Sequence, residues 1–386
     1  MNTLFLIPYP ENENTNNLYR KFTSQINSAK KLGGKVFYTS YDEKSIYINE
    51  LGDESQKKII GKTVSVHQNF VQMHFIMGAI RKWIKTATID LVYMRKITPS
   101  PSYKRTFTLL KKKNIPLVVE IPTYPGNNES KNSSRKLFFF AVRLMSKLFS
   151  NAYKNNVSLY TLIGEKADCY NGAPAINIEN GLDVQMVPVK NGFENHDSEL
   201  HLLVAAYFSY WHGYDRLING LLNYYKNSCA EKKVFVHICG KPSDDSLETI
   251  MKIVKENNLE DYAIYHGYLT GDDLNAMYDK CDVAIGSLGL HRQKIIVDTT
   301  LKLPEYTARA IPFIYCANSN NVNADGKYYL KVKEDETHID ILEIINFFES
   351  LDRDNIQKEM RSFAEKSLGW DAQFKKVVDF FNKGGR

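Results

Sequence analysis

Short apolar runs that read as buried parallel strands recur along this chain, each separated from the next by a longer helical or loop-like segment. They fall at residues 4–7, 35–39, 90–94, 117–121 and 158–163, and a second series follows at 200–206, 234–239, 263–266, 283–286 and 313–316. Helical segments at 217–226, 245–257 and 272–278 interleave the second series. The spacing predicts two doubly wound α/β domains. At 386 residues and 43% apolar content the chain has enough material for two ordinary cores. The junction is expected at residues 189–198, VKNGFENHDS, a polar stretch between apolar residues 186–189 and the run beginning at Leu200.

Charge divides unevenly, +10 over residues 1–200 against −4 over residues 201–386. A basic first half suits an anionic surface or substrate. Without zinc-finger spacing or an aromatic RNA-binding signature, nucleic acid is not the expected partner, and a membrane or lipid phosphate fits better. The cysteines, Cys169, Cys229, Cys239, Cys281 and Cys316, are odd in number and never form CxxC, so neither a disulfide framework nor a zinc site is expected and a reducing cytoplasm fits. The opening residues lack a basic region followed by a long apolar core, and no run of about 18 apolar residues occurs, so no export signal or spanning helix is expected. In residues 134–155, Lys136, Arg143, Lys147 and Lys154 fall within about 40° of one helical azimuth. That segment reads either as an interfacial helix meeting anionic lipid or as a core helix with one wet stripe.

Residues 286–314, GSLGLHRQKIIVDTTLKLPEYTARAIPFI, place cations and a carboxylate around the start of one predicted helix. Pro304 has φ preset for a first helical turn, where free N–H groups and the positive dipole end suit an anionic diphosphate. Arg292, Lys294 and Lys302 add positive charge, and Glu305 has ribose hydroxyls as its natural target. Taken alone, Pro304 and Glu305 also read as an ordinary helix start. Asp352 and Asp354 have DxD spacing but sit in a polar stretch that reads as a solvated turn, and no histidine falls in HExxH, so no metal site is expected.

LPEYTARAIPFI resembles the EAMACGLPVI-type segment of family 4 glycosyltransferases, in which the glutamate matching Glu305 holds the nucleotide ribose. Other segments follow in family order: IENGLD at 178–183, WHGYDRLI at 211–218, VHICG at 236–240 and YHGY at 265–268. VVEIPTYPG at 118–126 is similar to a segment of bacterial capsule and exopolysaccharide enzymes, and SLGWDAQFKKVVDFF at 367–381 resembles the ending in which a last helix crosses back to the first domain. The resemblance implies a GT-B fold, two Rossmann-like domains facing across a cleft. Residues 1–192 with 370–386 would bind a glycan or lipid-linked glycan acceptor, and residues 193–369 a nucleotide sugar. It further implies a retaining, metal-independent hexosyltransferase of surface polysaccharide biosynthesis. Its co-substrate would be a UDP-sugar, without other cofactor, and it would be cytoplasmic with a candidate peripheral membrane contact. A GT-B nucleotide-sugar epimerase and a non-catalytic scaffold of a polysaccharide-assembly complex are the alternatives.

Carried over residue by residue, the resemblance gives Gly240 close backbone approach to the donor and puts Tyr268 in the loop that holds the nucleobase. The arginine and lysine that grip the donor phosphates fall at Tyr207 and His212, an altered clamp. His212 keeps a hydrogen-bond donor, or is simply a satisfied loop histidine, and Arg292 and Lys294 are placed to supply the missing charge. The carboxylate that contacts the donor sugar falls at Val297, leaving Asp298 as its substitute or as a capping aspartate. Catalytic roles are expected for Glu120, Asp298, Arg292 and Lys302. Glu120 reads either as functional, because a buried unpaired carboxylate is costly, or as a strand-end residue paired with a lysine. Thr123 and Tyr124, between stiffening prolines, and Asn16 and Tyr19, after the first strand, are expected to contact the acceptor.

Overall fold

In β1 (Thr3–Leu6) successive side chains point to opposite faces of a sheet, and both faces are buried. Leu4 and Leu6 join a core with Met73, Ile76 and Ile80 of helix Asn69–Trp83 and Phe107 of helix Pro101–Lys112. Phe5 joins a second core with Phe22 and Ile26 of helix Asn17–Lys31 and Phe374 and Val377 of helix Trp370–Asn382. Helices on both faces are the reason the strands read as unbroken apolar runs. The computed structural model describes residues 1–8, 17–64, 69–125, 144–193, 198–227 and 232–385. The chain divides into two units, Met1–Gly181 with Trp370–Arg386, and Leu182–Gly369.

The first unit also contains β2 (Val36–Tyr41), β3 (Ser45–Glu50), β4 (Asp53–Lys62), β5 (Leu91–Arg95), β6 (Leu117–Tyr124), β7 (Leu159–Gly164), β8 (Cys169–Tyr170) and β9 (Ala173–Asn177). They form one sheet in the order β4-β3-β2-β1-β5-β6-β7-β9-β8. Its centre is parallel, whereas β2, β3 and β4 pair antiparallel, as do β8 and β9. The C-terminal helix is anchored here by Lys31–Asp371 at 2.8 Å and by Phe374 against Phe5 and Tyr93, each at 5.7 Å between ring centroids.

The second unit is a wholly parallel sheet of β10 (Glu199–Phe208), β11 (Lys233–Pro242), β12 (Ala263–Tyr265), β13 (Val283–Ile285), β14 (Phe313–Tyr315) and β15 (Tyr329–Lys331). The order β12-β11-β10-β13-β14-β15 means that the chain leaves β10 on one side and returns on the other. The switch point lies between β10 and β13, the place where open parallel sheets bind ligands beyond their carboxyl ends. Residues 182–192 belong to this unit rather than to the first, as the sequence had suggested. Val184 packs with Ala308, Ala364 and Leu368, and Arg361 donates to the carbonyls of Val184 and Val187. Residues 194–197 of the expected junction, and 134–143 of the basic segment, lie outside the described residues. No helix among the described residues is long and apolar enough to cross a membrane.

Three histidines cross one face of the second sheet diagonally. His201 Nδ1 meets His237 Nε2 at 2.9 Å, and His237 Nδ1 meets His266 Nε2 at 2.9 Å. Glu199 lies 3.4 Å from His201 Nε2, so a carboxylate at that end selects the tautomer with every proton on Nε2. Burial lowers all three, His237 to about 3. Lys280 works in the same direction at each ring, while Asp282 and Glu199 oppose it at His201. A histidine lowered by folding takes up its proton more readily when unfolded, so stability is unaffected above about pH 7 and is lost as pH falls below the unfolded value. His237 alone should cost about 2 kcal/mol at pH 5. Thermal unfolding between pH 7 and 5 is expected to show a loss of Tm that His237→Phe substantially reduces, and an equal loss in that variant would contradict the assignment.

Candidate active site

The loop after β13 carries the densest set of unsatisfied polar groups near the switch point. Leu288 N–H donates to the His212 carbonyl at 2.7 Å, joining the loop after β10 to the loop after β13. The join is close because both loops place glycine there: a Cβ on Gly213, at φ 68°, would meet the backbone of Leu288 and Gly289. Ser209 N–H donates to His212 Nδ1 at 3.1 Å, which puts the proton of the neutral ring on Nε2. That Nε2–H has no hydrogen-bond partner among the described residues. Burial, and secondarily Lys302, lowers His212 to about 2, so the ring is a neutral donor throughout the physiological range. Tyr214 stacks on it at 5.4 Å.

Helix Lys302–Arg309 begins in the same place. Pro304 is its third residue, where the absent N–H costs no intrahelical bond. Tyr306 anchors the helix to the sheet by donating to the Ile285 carbonyl at 3.0 Å. Lys302 Nζ donates to the Tyr214 hydroxyl at 2.9 Å. It has no carboxylate within ion-pair distance among the described residues, and burial, opposed by Asp298, lowers it to about 7. Asp298 is buried, 1% exposed; its Oδ1 accepts from Thr300 N–H at 2.8 Å and its Oδ2 has no partner. Burial raises its carboxyl against the opposing pull of the Thr300 hydrogen bond and of Lys302. The Ser287 hydroxyl on the same loop is also buried without a partner. Buried polar atoms without a protein partner call for a partner from elsewhere, a ligand, an ion or water.

Glu305 sits on the helix with Oε1 accepting from Arg309 Nε at 2.9 Å. Arg309 is itself fixed by Asn275 at 3.0 Å and by stacking on Tyr278 at 4.0 Å, so one face of the carboxylate is held and Oε2 is left to accept from a ligand. Gly240 has φ 140°, and a Cβ there would collide with the Ala206 carbonyl; its N–H donates to the Gly267 carbonyl at 2.7 Å. At the ends of β10 and beyond β12, Tyr207 and Tyr268 are half exposed with their hydroxyls 3.0 Å apart. Lys294 is exposed, at φ 57°.

Arg292 does not supply the expected free charge. Its Nε donates to Glu336, Nη1 to the Tyr210 carbonyl and Asp215, and Nη2 to Asp215 and Glu336. All five guanidinium N–H groups are thereby engaged, and none remains for a phosphate. The two carboxylates hold it far above its ordinary value. It is a clamp between loops.

Glu120 is the other correction. It is fully buried on β6, but it is not unpaired: Lys21 Nζ donates to Oε1 at 2.7 Å, and Gln25 Nε2 and the Tyr93 hydroxyl donate to Oε2 at 2.7 and 2.8 Å. Burial would raise its carboxyl, yet Lys21, Arg95 and the Tyr93 hydrogen bond together hold it below the ordinary value. Thr123 and Tyr124 end the same strand, partly exposed; Tyr124 packs edge-on to Tyr170 at 5.6 Å. Tyr19 falls in helix Asn17–Lys31, and Asn16 lies outside the described residues. Asp352 caps helix Arg353–Phe363, accepting from Asn355 N–H at 3.4 Å.

Solved structures cover the chain end to end. A glycosyltransferase from Rickettsia africae ESF-5 superposes with a TM-score of 0.61 at 13% identity, covering 99% of this chain and 98% of its own. Sucrose-phosphate synthase from Thermosynechococcus elongatus gives 0.59 at 12% identity, with 99% and 98% covered. Anabaena Alr3699/HepE, solved in complex with UDP, gives 0.58 at 11%, with 99% and 100% covered. The fold is that of the GT-B glycosyltransferases. No family model and no curated protein matches the sequence.

Within this GT-B chain, the residues the structure gathers at the switch point are His212, Asp298, Lys302 and Glu305 from the expected set, joined by Tyr214 and Ser287. Tyr214 escapes sequence reasoning because tyrosine at a helix start carries no chemical signal. Ser287 escapes because only its burial without a partner marks it.

Proposed function

We propose that the chain is a glycosyltransferase whose second unit binds the diphosphate of a nucleotide sugar. The observation that carries this reading is the convergence of an unpartnered neutral N–H on His212 and a lysine without a carboxylate on Lys302, beside helix Lys302–Arg309. A diphosphate accepts from both and takes the free N–H groups of the first helical turn. The charge that grows on the leaving diphosphate is then met by donors already in place, the largest single term in many transfer reactions. Asp298 Oδ2 is assigned to a donor-sugar hydroxyl and Glu305 Oε2 to the ribose. Complexes of the Anabaena protein with UDP and UDP-glucose support a UDP-sugar as donor. The resemblance supports a retaining, metal-independent course, a glycan or lipid-linked glycan acceptor bound by the first unit, and a role in surface polysaccharide synthesis with peripheral membrane contact.

A thermal-shift screen of UDP-, GDP-, ADP- and dTDP-sugars tests the reading, with at least one donor expected to raise Tm by several degrees. Silence across that set would reject it. Glu305→Ala is expected to weaken the stabilising donor about 10- to 100-fold by calorimetry, because the ribose loses its carboxylate acceptor, while circular dichroism stays native.

A further inference from the structure

Lys241 is absent from every assignment above, yet it has an unusual setting. Parallel pairing makes it the direct neighbour of Tyr207, at the carboxyl ends of β10 and β11. Its ammonium lies 5.0 Å from the centroid of the Tyr207 ring and 4.5 Å from that of Tyr268. The two hydroxyls lie 3.0 Å apart, a hydrogen bond that ties the two rings together. Lys241 has no carboxylate partner among the described residues. Cation–π contact at an exposed site contributes only about 0.5–1 kcal/mol and neutralises nothing, so the rings orient the charge and leave it available.

The loops that follow are tied to the active-site loop. Ser209 and Ser243 share a hydrogen bond of 2.6 Å, and Tyr210 N–H donates to Asp244 at 2.9 Å. His212 stands three residues beyond Ser209, on that same loop.

We infer that Lys241, oriented by Tyr207 and Tyr268, is the second cation that grips the donor diphosphate. It does the work the sequence had suggested for Arg292. The inference rests on the donor-binding reading above. A diphosphate spanning this ammonium and the His212–Lys302 pair would meet positive charge from both sides of β10.

Calorimetric titration of wild type, Lys241→Met and Lys241→Glu with UDP, GDP, ADP, CDP and dTDP tests it. For the nucleotide that binds wild type best, Lys241→Met is expected to weaken affinity about tenfold or more, and Lys241→Glu about tenfold further, because the reversed charge repels the anion. Tyr207→Phe should give a smaller loss, about threefold, since it keeps the ring and removes one hydroxyl. Wild-type binding with Lys241→Met unchanged within twofold overturns this inference alone. Equal losses in the Met and Glu variants also overturn it, because they show that charge is not what the position contributes. Failure of wild type to bind any of the five overturns the donor reading and takes this inference with it.

Discussion

Lys302→Met is expected to weaken nucleotide binding by about 10- to 150-fold while raising the stability of the second unit, because the same ammonium is useful to the ligand and costly to the empty fold. A charge-assisted hydrogen bond contributes about 1.5–3 kcal/mol, which sets the loss in affinity. The gain in stability comes from the lowered pKa. Folding brings Lys302 down to about 7 through burial, so between that value and the usual lysine range the unfolded chain holds a proton that the folded chain does not. Stability therefore rises with pH through that window, and below it the buried charge is a standing cost of about 1–3 kcal/mol that methionine removes.

The same shift predicts how wild type responds to pH. In the proposed site the protonated lysine binds the diphosphate, so affinity at pH 8 should be about tenfold weaker than at pH 6. Binding should take up a proton above pH 7, visible as a dependence of the calorimetric heat on buffer ionisation enthalpy. In Lys302→Met both effects should vanish. A variant that binds nucleotide as well as wild type would remove the central residue of the proposed site.

How far these features could be read from sequence depended on whether their physics was local. Strands such as β1, β6 and β10 were legible because burial on both faces writes a continuous apolar run. β3 and β4 write no such run, because they pair antiparallel towards the sheet edge and their residues alternate, as in the buried Ile46 and Ile48 of SIYINE. Gly240 was legible because a strand end that must pass close to another backbone demands it. Arg292 was misread for a different reason. Its carboxylates, Asp215 and Glu336, lie 77 and 44 residues away, and a count of nearby charges cannot show that a cation is already spent. The histidine ladder needs the register of three strands, which no local pattern contains. Helix Lys302–Arg309 was found because proline placement is local, but the lysine without a carboxylate beside it required coordinates.

Lys21→Met is expected to destabilise the first unit by about 3–5 kcal/mol, since it leaves the fully buried Glu120 carboxylate without its principal countercharge. Gln25 and Tyr93 would still donate to it, and Arg95 would still favour the anion, but the ion pair at 2.7 Å would be gone. In wild type both partners are lowered, so stability rises with pH through the window of each. Glu120 is held below its ordinary value, so its contribution is present above the unfolded value and lost as pH falls through the folded one; Lys21 is lowered by burial, with Glu120 opposing. Once the lysine is removed, burial dominates, the Glu120 carboxyl rises, and the variant should become less stable as pH increases above the unfolded carboxylate value. Replacing both partners, as Lys21→Met with Glu120→Gln, removes both buried charges and should recover most of the loss, because exchanging a buried pair for neutral groups is often close to neutral in stability. A double-mutant cycle should therefore show coupling of about 2–4 kcal/mol by denaturant unfolding. The cycle also decides what Glu120 does. If the carboxylate holds helix Asn17–Lys31 against β6, the double variant should transfer sugar within about threefold of wild type per folded molecule. If instead it touched the reacting atoms, activity would fall about a thousandfold or more with the fold intact, and the structural assignment made from its three partners would be wrong.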